Sequence, residues 1–250
     1  MPPPDAEPHF VEPLLGVVFD LDGTLVLSHH DFGRMRAEVI RIAEKYGVVP
    51  GHLSVQEPIH RIVETARQEL VSSGRPEGDL FRFEAEYPKV IDAIEVEALP
   101  RTVVRTGAPE LLRTLAERGY RLGVLTRSSE FFARAALRQT ELHAFFPYLR
   151  SRSAPGPAKP SPEALKLLLT EMGIPGERSL YVGDHLIDAE CATRARVRFY
   201  GVLPDPSEQN PEPMTTDRFL AAGASAVAKD LPELGRHLGV LSSPRATPAE

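Results

Sequence analysis

From residue 109 to residue 203, short apolar runs alternate with helical stretches, and this alternation limits the fold more than any other feature of the chain. A helix over 109–118 opens with Pro109 at the favoured first position and closes before Gly119. A strand over 121–126 (Arg-Leu-Gly-Val-Leu-Thr) follows at once, then a helix over 130–139 and a short strand near 147–151. Ser161 is placed to cap a helix beginning at Pro162, where Leu165, Leu168, Leu169 and Met172 recur at the spacing of a half-buried face. A strand over 179–183, a helix over 186–195 and a strand over 197–203 complete the series, and Leu14–Asp20 supplies a compact apolar strand upstream. Such a series predicts an α/β fold, a parallel sheet covered on both faces.

Residues 28–100 break the alternation and read as helix only. Phe32, Met35, Val39, Ile42 and Tyr46 form one stripe, Ile59, Ile62, Val63, Ala66 and Leu70 a second, and Phe83, Tyr87, Val90, Ile91 and Ile94 a third. Three amphipathic helices can close a small core of their own, so this stretch reads as a helical insert placed just after the first strand. For each residue in the stripes, packing is the plainer reading. The expected organisation is a loose proline-rich leader at 1–13, an α/β core at 14–27 and 101–241, the insert at 28–100, and a polar tail at 242–250.

Composition excludes several classes. The chain has 250 residues, 42% of them hydrophobic, enough for a sizeable core. With 29 Lys and Arg against 35 Asp and Glu, the net charge is −6, and no basic block suits a nucleic acid. A single cysteine, Cys191, excludes an intrachain disulfide and any multi-cysteine zinc site; packing within a helix is its plain reading. No apolar run approaches the roughly 20 residues of a membrane span. The start Met1-Pro2-Pro3-Pro4-Asp5 lacks the basic and apolar parts of a secretion signal, so the expected location is the cytoplasm.

The chemistry lies where strands end. In parallel sheets, ligands bind beyond the carboxyl ends of the strands. The first strand ends Phe19-Asp20-Leu21-Asp22-Gly23-Thr24. Two carboxylates so close together repel unless a cation intervenes, and oxygen ligands without spare cysteines favour Mg²⁺ over zinc. An acidic turn is the alternative. A later strand ends Gly183-Asp184-His185-Leu186-Ile187-Asp188, where Asp184 is placed to complete a metal site with Asp20 and Asp22. Asp184 and Asp188 equally suit a helix N-terminus, which explains Asp188 better than Asp184. Thr126 ends another strand, and Arg127, Ser128 and Ser129 offer backbone N–H groups to an anion. Lys159 stands before a helix in Ala158-Lys159-Pro160-Ser161-Pro162, where a solvated lysine is the plainer reading. His29, His30 and His185 suggest a transition-metal site, but the clustered carboxylates make Mg²⁺ the better assignment.

Taken in order, Asp20-Leu-Asp22-Gly-Thr24, Thr126, Lys159-Pro160, and Gly183-Asp184 with Asp188 resemble the four motifs of the haloacid dehalogenase-like hydrolases over roughly residues 14–240. The pattern is most similar to the phosphoglycolate phosphatase-like branch, through Phe19–Val26 and Lys159-Pro-Ser-Pro162. The resemblance implies a Rossmann-like three-layer core with an inserted helical cap of the C1 type. It also implies a Mg²⁺-dependent phosphatase that hydrolyses a small phosphorylated metabolite; charge and hydropathy argue separately against a nucleic-acid or membrane partner, and a monomer or homodimer is expected. The resemblance assigns Asp20 as nucleophile, Asp22 as general acid/base, Thr126 and Lys159 to the phosphoryl group, and Asp20, the Asp22 carbonyl and Asp184 to Mg²⁺ with Asp188 in support. A cap of this type would close over the site and exclude water. A β-phosphoglucomutase-like phosphotransferase shares these core residues, and a catalytically idle regulatory protein on the same fold is the rival outside enzymes. The chain departs from the branch at Leu27, where Asp is frequent, at Arg127, where Asn is usual, and at Arg196, where Gly is frequent. Arg127 is expected either to meet a second anionic group of the substrate, as part of the phosphate-binding set, or to point to solvent.

Overall fold

The computed structural model describes residues 13–74, 76–207 and 214–242. Apart from Pro13 and Ser242, the leader expected at 1–13 and the tail expected at 242–250 lie outside the described residues. Two compact units are present: one holds the chain up to Ser28 and from Thr102 onward, the other His29–Arg101. In chain order the elements are β1 (Gly16–Phe19), β2 (Val26–Leu27), α1 (Phe32–Lys45), α2 (Ile59–Ser72), α3 (Glu77–Ala98), β3 (Val103–Val104), α4 (Ala108–Glu117), β4 (Arg121–Leu125) and α5 (Glu130–Gln139). They continue with β5 (Tyr148–Arg150), α6 (Pro162–Met172), β6 (Ser179–Gly183), α7 (Leu186–Ala195), β7 (Arg198–Val202), α8 (Thr216–Ala221), β8 (Ala226–Ala228) and α9 (Leu231–His237).

In the first unit, six strands of the described residues form one parallel sheet in the order β5-β4-β1-β6-β7-β8. β1 is central because it is the most apolar and is covered on both sides: Val17, Val18 and Phe19 have no exposed surface. Burial of each such side chain contributes about 1.5–3 kcal/mol. From β1 the chain steps outward to β4 and β5, then crosses back to β6, β7 and β8. Right-handed crossovers running in opposite directions place their helices on opposite faces, giving the three layers that the alternation predicts. On one face, α6 and α7 pack together through Leu165, Leu168, Leu169, Met172, Ala189 and Ala192 over Val18, Tyr181 and Phe199. Leu111, Leu112 and Leu115 of α4 are also fully buried, and α4 packs on α9.

Register sets the functional edge. Phe19 pairs with Val124 of β4 and with Val182 of β6. One residue further on, Asp20 donates its N–H to the Val182 carbonyl at 2.9 Å. The ends of β1, β4 and β6 therefore lie side by side at the carboxyl edge. A second, two-stranded antiparallel sheet pairs β2 with β3, Val26 opposite Val104 and Leu27 opposite Val103. The chain leaves this unit and returns to it through that pair.

The second unit is wholly helical, with α1, α2 and α3 around their own core. Met35, Val39, Ile42, Ile62, Val63, Ala66, Leu70, Phe83, Ile91 and Ile94 are buried there. Phe32 departs from the expected stripe: as the first residue of α1 it is 42% exposed. At the surface of this unit Lys45 pairs with Glu86 at 2.7 Å and Arg67 with Glu84, exposed pairs that add little stability.

Candidate active site

Asp20 is buried at the tip of β1. The chain then turns back at once: Gly23 adopts φ +83°, and its N–H bonds the Val26 carbonyl at 2.8 Å. The turn tucks Thr24 inward, where its hydroxyl donates to Asp184 Oδ1 at 2.8 Å across 160 residues of sequence. Leu21 and Leu25 anchor the turn in the core, both with no exposed surface.

β6 delivers the second carboxylate pair. Asp184 follows Gly183 before the helix, and α7 begins at Leu186. His185 caps α7: its Nδ1 accepts from the Ile187 N–H at 3.2 Å. Asp188 closes the capping box, its Oδ2 accepting the His185 N–H at 3.2 Å. Its other oxygen, Oδ1, accepts from Lys159 Nζ at 2.7 Å and from the Tyr181 hydroxyl at 2.7 Å. The capping role expected for Asp188 is therefore present, and so is a contact with the other site residues. Gly183 leaves room for this, because a Cβ there would meet the Asp188 side chain.

Lys159 is not a solvated lysine; it is 3% exposed. Its ammonium bridges Asp20 Oδ1 at 2.6 Å and Asp188 Oδ1 at 2.7 Å. The loop that carries it is braced from β4. Arg127 Nη1 donates to the Lys159 main-chain carbonyl, and Arg152 Nη1 donates to the Arg127 carbonyl at 2.6 Å. The expectation for Arg127 offered substrate or solvent as its surroundings; the bond to the Lys159 carbonyl is a third contact.

Charge in this cluster is unbalanced. Asp20, Asp184 and Asp188 offer oxygens that lie within 4.8 Å of one another, beside one ammonium. Burial, followed by repulsion from Asp188, pushes Asp184 up to about 7, although the Thr24 hydroxyl and Arg105 pull the other way. Burial also raises Asp20 well above the carboxylate range, against the pull of Lys159. For Lys159 burial works against the ammonium, but Asp188 and Asp20 outweigh it and raise its pKa. Asp20 and Asp184 each receive one hydrogen bond, at Oδ1, and their Oδ2 atoms receive none from the described residues. Clustered buried carboxylates with oxygens to spare fit a hard divalent cation and could bind one.

Two expected residues stand beside this cluster. The Asp22 carboxylate is not part of it; its Oδ1 accepts the Ser28 N–H at 3.2 Å and the Ser28 hydroxyl. Thr126 is buried one residue beyond β4, and its Oγ1 accepts the Ser128 N–H at 3.0 Å. That leaves the Thr126 hydroxyl proton to donate. Ser129 caps α5, as the backbone entry at 127–129 requires. No histidine belongs to the carboxylate group found among the described residues.

By sequence reasoning Thr24 belongs to the first motif but has no role, and Ser28, Tyr181 and Arg105 are not singled out. Tyr181 carried a signal: its hydroxyl stands between the apolar Leu180 and Val182 of an interior strand. Arg105 carried none. It is 3% exposed, and its Nη1 donates to the Gly23 carbonyl at 2.5 Å and its Nη2 to the Leu203 carbonyl, which ties the β1 turn to the exit of β7.

A family model for haloacid dehalogenase-like hydrolases matches residues 14–196. A phosphoglycolate phosphatase of Pseudomonas putida is 29% identical over 197 residues, 74% of this chain and 68% of that protein. A phosphoglycolate phosphatase of Cereibacter sphaeroides is 32% identical over 193 residues, covering 74% and 83%. Among solved structures, a hydrolase from Pseudomonas syringae aligns with TM-score 0.64 and 22% identity over 91% of this chain and 99% of that one. A HAD family hydrolase from Deinococcus radiodurans, solved with bound phosphate and sodium, aligns with TM-score 0.59 and 22% identity over 93% and 99%. At these identities the structural likeness speaks for the fold.

Proposed function

The chain belongs to the haloacid dehalogenase-like hydrolase family, and on that premise we propose that it is a Mg²⁺-dependent phosphatase that hydrolyses a small phosphorylated metabolite through an aspartyl-phosphate on Asp20. The observation that carries this reading is the ammonium of Lys159 held between Asp20 and Asp188, within a cluster of three buried carboxylates at the sheet edge. In this reading residues 28–100 are the cap.

A carboxylate attacking a phosphate dianion meets like charge, so the chemistry needs positive charge at the nucleophile. Lys159 supplies one unit next to Asp20 Oδ1. Asp20, Asp184 and the main-chain carbonyl of Asp22, with Asp188 in support, would hold a Mg²⁺ that would supply two more and polarise the phosphoryl group. Asp20 attacks phosphorus and the ester oxygen departs, taking a proton from Asp22. Asp22, now a carboxylate, accepts a proton from water as that water attacks the aspartyl-phosphate. Phosphate leaves, and both aspartates return to their starting states. Thr126 and the N–H groups opening α5 donate to the phosphoryl oxygens, where charge develops in the transition state, and Arg127 lies with them in the phosphate-binding set.

Phosphate release from p-nitrophenyl phosphate and from a panel of phosphorylated metabolites tests the reading, with Asp20→Asn as the blank. The names of the relatives make 2-phosphoglycolate the first panel member to try. Mg²⁺-dependent release that is lost in the variant supports a phosphatase. Isomer formation from a sugar phosphate without net phosphate release points to the phosphotransferase. Absence of both overturns the reading.

A further inference from the structure

We propose that Tyr181 is a positioning residue: its hydroxyl, by bonding Asp188 Oδ1, sets how the Lys159 ammonium is shared between Asp188 and Asp20. The proposal rests on the phosphatase reading for its kinetic consequence and on geometry for the rest. Side chains alternate across a strand, so Ser179, Tyr181 and Gly183 of β6 face the same layer. That layer is α6 and α7, and Tyr181 belongs to their apolar cluster. Its ring has no exposed surface and stands edge-on to Phe199, with centroids 6.0 Å apart. Phenylalanine would fill this position equally well; packing does not call for a hydroxyl.

The hydroxyl has one proton and two acceptors in reach, Asp188 Oδ1 at 2.7 Å and the Leu125 carbonyl at 3.3 Å. The shorter, charged partner takes it. The result is one continuous line: Tyr181 OH donates to Asp188 Oδ1, which also accepts from Lys159 Nζ, which donates in turn to Asp20 Oδ1. The Lys159 ammonium lies 5.7 Å from the centre of the same ring, an attraction that phenylalanine would keep.

A carboxylate oxygen that already accepts a hydroxyl holds a second donor less strongly than a bare one. Asp188 therefore accepts three donors, with Lys159 only one of them, and the ammonium is left balanced toward Asp20. Without the hydroxyl, Oδ1 of Asp188 has Lys159 alone. The ammonium then moves toward Asp188 and away from the nucleophile.

The test is Tyr181→Phe, alone and with Asp188→Asn, assayed with p-nitrophenyl phosphate and Mg²⁺ and solved crystallographically. The single variant should lower kcat about tenfold with KM changed less than about twofold, and excess Mg²⁺ should not restore it. Its crystal structure should show Lys159 Nζ beyond hydrogen-bonding reach of Asp20. In the Asp188→Asn background the same substitution should add nothing, because Tyr181 acts through Asp188. Wild-type kcat in Tyr181→Phe, an unmoved Lys159, or an undiminished effect in the Asp188→Asn background overturns the proposal. If the wild-type protein is inert, the phosphatase reading fails, while the position of Lys159 in the variant still decides the role of Tyr181.

Discussion

Gly23 passes so close to Asp184 that a methyl group in place of its α-hydrogen would collide with the Asp184 carboxylate. The two residues stand in turns at the ends of neighbouring strands, and the glycine also holds φ +83°. The absent side chain is what lets the two acidic turns close on each other.

Gly23→Ala should therefore destabilise the protein by about 2 kcal/mol, from backbone strain and the displaced carboxylate together. Mg²⁺ binding should weaken in parallel, since Asp184 must move. Urea denaturation and calorimetric Mg²⁺ titration would measure the two effects. A variant with unchanged denaturation midpoint and Mg²⁺ affinity would mean that the turn has slack.

The raised pKa of Asp184 gives a pH dependence with a definite sign. Folded, metal-free protein holds this proton up to about 7, against an ordinary value of 3.8. Between those values the folded state binds more protons than the unfolded state, so this contribution to stability is lost as pH rises through about 7. Asp20 acts in the same direction. A Mg²⁺ held by these carboxylates would compete with those protons. It should raise the melting temperature clearly at pH 8 and little at pH 5.5, as thermal melts with and without MgCl₂ would show. An equal rise at both would place the cation elsewhere.

Ser28 grips one oxygen of the Asp22 carboxylate with both its N–H and its hydroxyl. Ser28→Ala removes the hydroxyl and, with Asp22 as the general acid of the proposed mechanism, should loosen that acid. Esters with poor leaving groups depend on that acid most. The variant should lose about tenfold more kcat on an alkyl phosphate than on p-nitrophenyl phosphate. Equal losses on both substrates would show that Ser28 affects something other than leaving-group protonation.

The alternation of strand and helix could be read because each element buries one face with a clear period: β6 falls at Ser179–Gly183 and α7 at Leu186–Ala195, where the pattern predicts them. The helix expected to open at Pro109 begins one residue earlier, at Ala108, because Gly107 in the left-handed region supplies its cap. The strand expected to reach Thr126 ends at Leu125, although Thr126 still bonds the Arg150 carbonyl. Ser161 takes the cap position of α6, but its hydroxyl bonds Glu163 instead of the backbone. The β2–β3 pair escaped notice because two residues show no period, and only closure of the chain brings Val26 to Val104. In the site, Asp20 and Asp184 were legible from their places at strand ends, whereas Lys159 and Asp188 gained site roles only through the family resemblance, since position alone reads as a solvated lysine and a helix cap. Thr24 and Arg105 were not legible, because what defines them is a partner 160 and 82 residues away.

The short β2–β3 ribbon has a further consequence. It brings the two ends of the 29–101 segment together on adjacent strands, so the catalytic framework sees that segment as a closed excursion. Any other stretch whose ends meet at the same spacing could be grafted there without rethreading a single sheet strand. On the proposed reading of 28–100 as a cap, such an exchange would alter what the enzyme selects while leaving Asp20, Asp184 and Lys159 in place.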